Sequence, residues 1–389
     1  MLIFAEIFFD MEQLPFIYGK AAEMLNFTDR EAESKRLAQN FYSLINTMIL
    51  SPRRWGKTSL VKKVATEVMS EYKDIRVCML DIFNIRNEND FYIYYAQSLV
   101  KATSNRWEEW VENAKTFLSR LAPKISFYPD NQAEISFGVE WEALEKNPDD
   151  IIDLAETIAK VKGIKIIVCI DEFQSIGSFS DSLAFQRKLR AHWQHHQRVG
   201  YCLYGSKRHL LLDIFSNAEM PFYKFGDIMF MEKINNKTWG KFIQKRFTDT
   251  GKNISRKQAE YLAAIVENHS YYVQQLAQQA WLRTKTACSV PIINNSLQSI
   301  KNQLSLLFVG LTQSLTATQL YFLQAIIEGQ TVFGQENLKK YQLGTSANII
   351  RIKNMLLSKE IIDITSKHIE IQDPIFKLWL KEDYFKIMV

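Results

Sequence analysis

Glycine and proline are scarce in this chain, 14 and 8 of 389 residues. That composition argues against long disordered linkers. There are four cysteines and no CxxC pair, so neither a zinc framework nor a disulfide framework is indicated. Cys78, Cys169 and Cys202 each lie in an apolar run that reads as a buried strand, and Cys288 stands alone. A reduced, cytoplasmic chain is expected. No stretch reaches 18 uncharged apolar residues, which leaves no candidate membrane span. The apolar start, residues 1–9, is too short to cross a bilayer and lacks a basic flank, so it does not read as a signal peptide. Met11 opens a more ordinary polar beginning, and Met1 and Met11 both stay open as the start. Charge of one sign is also lacking. A net +5 permits nucleic-acid contact without demanding it. There is no internal repeat and no low-complexity run. What is there, 47% hydrophobic and 23% charged residues over 389, suits a globular protein of two or three domains.

The strongest local pattern is MILSPRRWGKTSL, residues 48–60. An apolar run ends at Leu50, a short loop closes on Gly56-Lys57-Thr58, and a helical pattern follows at once. This is the phosphate-loop spacing G-x-x-x-x-G-K-[ST] with Ser51 in place of the first glycine. Loop amides and a helix N-terminus would point at one spot and make an anion site. Ser51, Pro52, Arg53, Arg54, Trp55, Gly56, Lys57, Thr58 and Ser59 are therefore candidate nucleotide contacts. Lys57 would reach the β- and γ-phosphates, and the Thr58 hydroxyl would hold Mg²⁺. Ser51 fits if its φ stays negative, and Pro52 stiffens the loop. Arg53 and Arg54 read equally as phosphate or inter-subunit contacts and as solvated charge.

Around this loop the periodicities alternate. Thr28 with Glu31 reads as a capping box opening a helix to about residue 40. Strands are expected over residues 41–50, 75–83, 165–173, 199–206 and 228–231, with helices over 57–72, 90–101, 107–121, 148–162 and 182–197. Asn89 reads as an N-cap. A β-hairpin is expected between residues 124 and 141. The alternation implies a parallel five-stranded sheet with helices on both faces. From residue 236 to 307 only helices are expected. Three short helices, a hairpin and a last helix follow, a winged helix-turn-helix pattern. The expected domains are 1–234 (with an insertion at about 84–147), a helical lid at 235–310, and a winged helix at 311–389.

The third core strand ends in Asp171-Glu172. In a nucleotide hydrolase the aspartate helps hold Mg²⁺ and the glutamate orients the attacking water. The fourth ends in Gly205-Ser206, which reads equally as a plain turn and as the place where Ser206 reaches the γ-phosphate or that water. His192, His195 and His196 have helical metal-ligand spacing, yet with no Cys or carboxylate nearby a metal is not expected there.

The order of these motifs resembles the AAA+ superfamily. More narrowly, it resembles the archaeal-type ATPase family of the STAND group, signal-transduction ATPases with numerous domains. The segments FTDRE (27–31), PRRWGKTSL, IDEFQ, GS (205–206) with PFY (221–223), YYVQQL (271–276) and DPIFKLWL (373–380) carry the resemblance over most of the chain. It implies ATP or ADP and Mg²⁺ as cofactors, with Arg30 near the adenine. Catalysis would rest on Lys57, Glu172 and Ser206, and Thr58 and Asp171 would be the metal ligands. Three positions depart from the family pattern. Asp29 stands for a glycine, Ser270 for a proline, and Phe225 for an arginine that would act in trans. Lys224 or Arg208 can substitute for that arginine, and slow turnover is expected.

The function expected is a Mg²⁺-dependent switch ATPase that rearranges its lid and winged helix. A nucleotide-bound DNA-binding regulator and an ADP-holding interaction scaffold stay open as alternatives. A protein partner is expected. An oligomer remains open, as does DNA contact through residues 346–357, with Asn348, Arg351, Lys353 and Asn354 as candidate contacts.

Overall fold

The computed structural model describes residues 14–20, 27–104, 109, 125–129, 135–139, 148–330, 334–364 and 368–387. The helix expected over 107–121, Glu109 excepted, and the two alternative starts lie outside them. The chain divides into two compact units. The first holds Arg30–Arg53 and Lys57–Met231. The second holds Glu232 onward, together with Arg54–Gly56 and the described residues before Arg30.

In the first unit α1 is Glu31–Tyr42 and β1 is Thr47–Leu50. The expected capping box does not form. The helix starts from Arg30, in the left-handed region at φ 74°, without a side-chain cap. The first strand is shorter than expected because Phe41 continues the buried face of α1 one turn after Leu37. Next come α2 (Lys57–Glu71), β2 (Ile75–Asp81) and α3 (Glu88–Ala102). The cap of α3 is Asn87 rather than Asn89, and its side chain accepts from the Asp90 amide at 2.9 Å. β3 (Ile125–Pro129) and β4 (Ile135–Val139) form the expected antiparallel hairpin. α4 (Pro148–Ile152) and α5 (Leu154–Lys162) were expected as one helix; it breaks at Asp153. Gly163, at φ 65°, ends α5 in the left-handed conformation that glycine takes without strain. β5 (Lys165–Asp171) leads into a 3-10 helix over Phe173–Ser178, followed by α6 (Ser182–Trp193), β6 (Val199–Gly205), α7 (Arg208–Ser216) and β7 (Asp227–Phe230).

The five strands pair in the order β2-β5-β6-β1-β7, every pair parallel. A parallel sheet is covered by helices on both faces, so its strands are apolar throughout rather than alternating. β1 and β6 are buried at every position. Leu60, Val61, Val64 and Val68 of α2 are buried at helical spacing, each worth about 1.5–3 kcal/mol relative to exposure.

The second unit carries α8 (Asn236–Asp249), α9 (Arg256–Ile265), α10 (Ser270–Arg283) and α11 (Val290–Gln313). Then α12 (Ala317–Ile327), α13 (Gln335–Lys340), α14 (Ser346–Ser358), β8 (Ile362–Ile364), β9 (Ile369–Ile371) and α15 (Pro374–Trp379) build the winged helix. One hydrophobic core runs from Ile243 and Leu276 in the lid helices to Leu323, Ile352 and Phe376 in the winged helix. Polar links join the same parts. Tyr272 donates to Asp373 Oδ2 at 2.5 Å, and Lys377 pairs with Glu267 at 2.6 Å.

Candidate nucleotide site at the strand ends

Register brings the motifs of the first unit together. Leu50 lies opposite Gly205 and Ile170 opposite Leu203, so β1, β6 and β5 end side by side. Ligands of open α/β sheets bind at such carboxyl ends. Ser51, Asp171-Glu172 and Ser206 therefore emerge at one edge although up to 155 residues separate them in sequence.

The phosphate loop starts at Ser51, which is fully buried and lies outside the positive-φ region, so replacing the motif's first glycine brings no backbone strain. Lys57 is 6% exposed. Its ammonium donates to Pro52 O at 2.8 Å, Ser51 O at 3.1 Å and Ser51 Oγ at 3.3 Å. Gly56 has φ 92°, a conformation that side-chain-bearing residues rarely adopt. Arg54 is also left-handed, at φ 64°. Within the second unit the Arg54 guanidinium lies over the Tyr271 ring at 4.6 Å, and Lys233 lies over Trp55 at 5.9 Å. Arg53 is exposed and Ser59 is buried in the first turn of α2.

Thr58 Oγ1 donates to Asp171 Oδ2 at 2.7 Å. The other carboxylate oxygen accepts the Glu172 amide at 2.9 Å. Burial pushes the Asp171 carboxyl up to about 6; the Thr58 hydrogen bond opposes that, and the neighbouring Glu172 charge adds to it. A hydroxyl and a desolvated carboxylate are hard oxygen donors. Neighbouring ligands of Mg²⁺, each about 2.1 Å from the ion, lie about 3 Å apart, so this pair fits the ion. Among the described residues no group of three His, Cys, Asp or Glu is arranged to hold a metal alone. Mg²⁺ suits that arrangement, because it is usually held by one or two protein groups plus phosphate oxygens and water.

Glu172, in the left-handed region at φ 56°, turns the chain out of β5. Ser206 Oγ donates to Glu172 Oε2 at 3.0 Å. The serine thus meets the glutamate itself. Gln174 Nε2 donates to the same Oε2, a contact that sequence reasoning missed although the residue lies within the quoted IDEFQ. Arg30, 4% exposed, pairs with Glu33 at 2.8 Å through Nη1, while its Nη2 is buried without a hydrogen-bond partner.

Other expectations are corrected here. α6 ends at Trp193, so His195 and His196 lie beyond it. A carboxylate does stand beside the histidines: Asp153 Oδ1 is 2.9 Å from both His192 Nδ1 and His196 Nε2. Its position 39 residues upstream of His192 hid it from spacing arguments. Phe225, where an arginine was looked for, is core, packed against Phe222 and Trp193. Lys224 lies over the Tyr223 ring. Asn348 donates to Leu343 O at 2.9 Å and holds the start of α14, whereas Arg351 and Asn354 are exposed.

This strand order, with a phosphate-loop motif after β1, a helical lid and a terminal winged helix, defines an AAA+-like P-loop fold. The comparisons agree. Residues 306–382 match the model of a probable winged helix domain. Among solved structures, the chain is similar to a Walker-type ATPase of Pyrococcus abyssi, with TM-score 0.66 and 15% identity over 95% of this chain and 100% of that one. It is also similar to the ORC2 protein of Aeropyrum pernix, solved in ADPNP–ADP complexes, with TM-score 0.56 and 13% identity over 94% of each chain. No curated protein matches the chain. No helix among the described residues is long and apolar enough to cross a membrane.

Proposed function

We propose that this chain is an ATP-binding, Mg²⁺-dependent ATPase that works as a nucleotide switch, of the STAND type within the AAA+ group. The observation that carries the reading is the convergence, at adjacent strand ends, of Lys57, the Thr58–Asp171 pair and the Ser206–Glu172 pair. The desolvated ammonium of Lys57 supplies charge where a transferring phosphoryl group gathers it. The unpartnered Arg30 Nη2 is a buried donor suited to a polar part of the nucleotide. Bound Mg²⁺ would neutralise phosphate charge. Glu172 orients a water and takes its proton as the water oxygen bonds to the γ-phosphorus. The bond to the bridging oxygen breaks, and ADP leaves with that electron pair. Residues 235–310 and 311–389 act in this reading as lid and winged helix that respond to the nucleotide, with a protein partner receiving the change.

Measured ATP turnover tests the reading. Glu172→Gln is expected to abolish turnover while nucleotide binding persists. A wild type with no turnover above that variant, with and without co-purifying proteins, sinks it. A second reading, a DNA-binding regulator that holds nucleotide, is favoured by exposed Arg351 and Asn354 on α14. Salt-dependent duplex binding that needs Arg351 separates the two.

A further inference from the structure

Gln174 is 6% exposed in the 3-10 helix that follows Glu172. Its amide donates to Glu172 Oε2, the oxygen that also accepts from Ser206. Its own Oε1 is buried with no hydrogen-bond partner. An unpartnered buried acceptor lowers stability by about 1–3 kcal/mol, so packing stability alone does not account for a glutamine there. Gly205 supplies the room. A Cβ at that position would lie 2.0 Å from Gln174 Oε1 and 3.1 Å from the Glu172 Cα. The last residue of β6 therefore has no side chain where the Gln174 amide fits beside the glutamate. Two donors on Oε2 fix the plane of the carboxylate and leave Oε1 to accept a proton from water.

We propose that Gln174 is a positioning residue for Glu172. Together with Ser206 it locks the carboxylate so that Oε1 faces the attacking water, and Gly205 is required to admit it. The proposal rests on the ATPase reading above and adds to it the device that aims the base. A misaligned base weakens proton transfer without weakening nucleotide binding, so the effect belongs in kcat and not in KM.

Steady-state turnover of the full chain with ATP and Mg²⁺, normalised to the nucleotide-binding fraction, is the test. Gln174→Ala is expected to lower kcat by on the order of tenfold to a hundredfold with KM for ATP unchanged. Gln174→Glu, of the same shape but without the donor, is expected to lose at least as much. Gly205→Ala, which displaces the amide from the opposite side, is expected to show the same split and keeps the question open to measurement if a Gln174 variant fails to fold. Full kcat in the folded variants overturns the proposal, and so does a loss that appears in KM. If wild type turns over no faster than Glu172→Gln, the ATPase reading falls and the positioning role with it. An active wild type whose kcat survives both Gln174→Glu and Gly205→Ala removes the positioning role alone.

Discussion

The two units bury polar groups to different ends. In the first, Lys57, Asp171, Gln174 and Ser206 lie at one edge of a sheet and bond to immediate neighbours there: Lys57 donates to Pro52 O, Asp171 accepts from Thr58, and Gln174 and Ser206 both donate to Glu172. In the second, buried polar groups join helices. Tyr272 of α10 meets Asp373 at the head of α15, and Lys301 of α11 pairs with Glu382 and Asp383. In the proposed ATPase, the first arrangement holds charge in place for chemistry. The other staples lid helices and winged helix into a single core. Substitutions in the first should therefore change rate more than stability, and substitutions in the second the reverse.

Glu172→Gln is the sharpest break of that contrast. A turnover loss of about 10²–10⁴-fold is expected, the range for a general base, with a melting temperature close to wild type. Asp373→Ala is its counterpart. Asp373 Oδ1 accepts the Ile375 and Phe376 amides while Oδ2 accepts from Tyr272. Losing a helix cap and a buried acceptor should lower stability by about 2–4 kcal/mol. Asp373→Asn, which keeps an oxygen at the cap, is expected to recover much of that, as chemical denaturation would show. Equal losses in the two variants would assign the effect to the Tyr272 hydrogen bond and the carboxylate charge, not to the helix cap.

The second unit carries a pH dependence of its own. Burial first, then the charges of Lys233 and Arg54, push the His269 imidazole down to about 4. Its folded value is below its unfolded one, so the neutral ring's stabilising contribution is complete above about pH 6.5 and is lost as pH falls toward 4. Between pH 7 and pH 5 that amounts to about 2 kcal/mol. His269→Gln should flatten this part of the stability profile. A variant whose profile parallels wild type would assign the acid sensitivity elsewhere.

Sequence made these two regions legible to different degrees for a physical reason. The phosphate loop and Asp171-Glu172 are local patterns, and a fully buried parallel sheet needs continuous apolar runs, so the five strands stood out. Their boundaries were less clear. Phe41 is apolar whether it ends a helix or starts a strand, and only the buried partner face decides. The pairing of Tyr272 with Asp373 spans 101 residues, and that of Asp153 with His192 spans 39; neither has a spacing rule. Gln174 was in view within IDEFQ, but its role depends on the space that Gly205 leaves across the strand pair, which no pattern along one strand encodes.

The smallest expected stability change lies on α14. Arg351 is exposed there, between the buried Ile349 and Ile352 that face the core. Ile350 and Met355, 49% and 46% exposed, share the helix. Arg351→Ala should change stability by less than about 0.5 kcal/mol, as for surface substitutions away from caps and ion pairs. Its value is as a discriminator. If the winged helix docks phosphate, duplex affinity should fall with added salt, and Arg351→Ala should reduce the slope of that dependence by about one counterion. If the exposed Ile350 and Met355 mark a protein-binding face, wild type and variant should bind duplex DNA equally weakly at every salt concentration. A reduced slope at unchanged stability would add a second functional surface to the molecule, in the unit that otherwise uses its polar groups as staples.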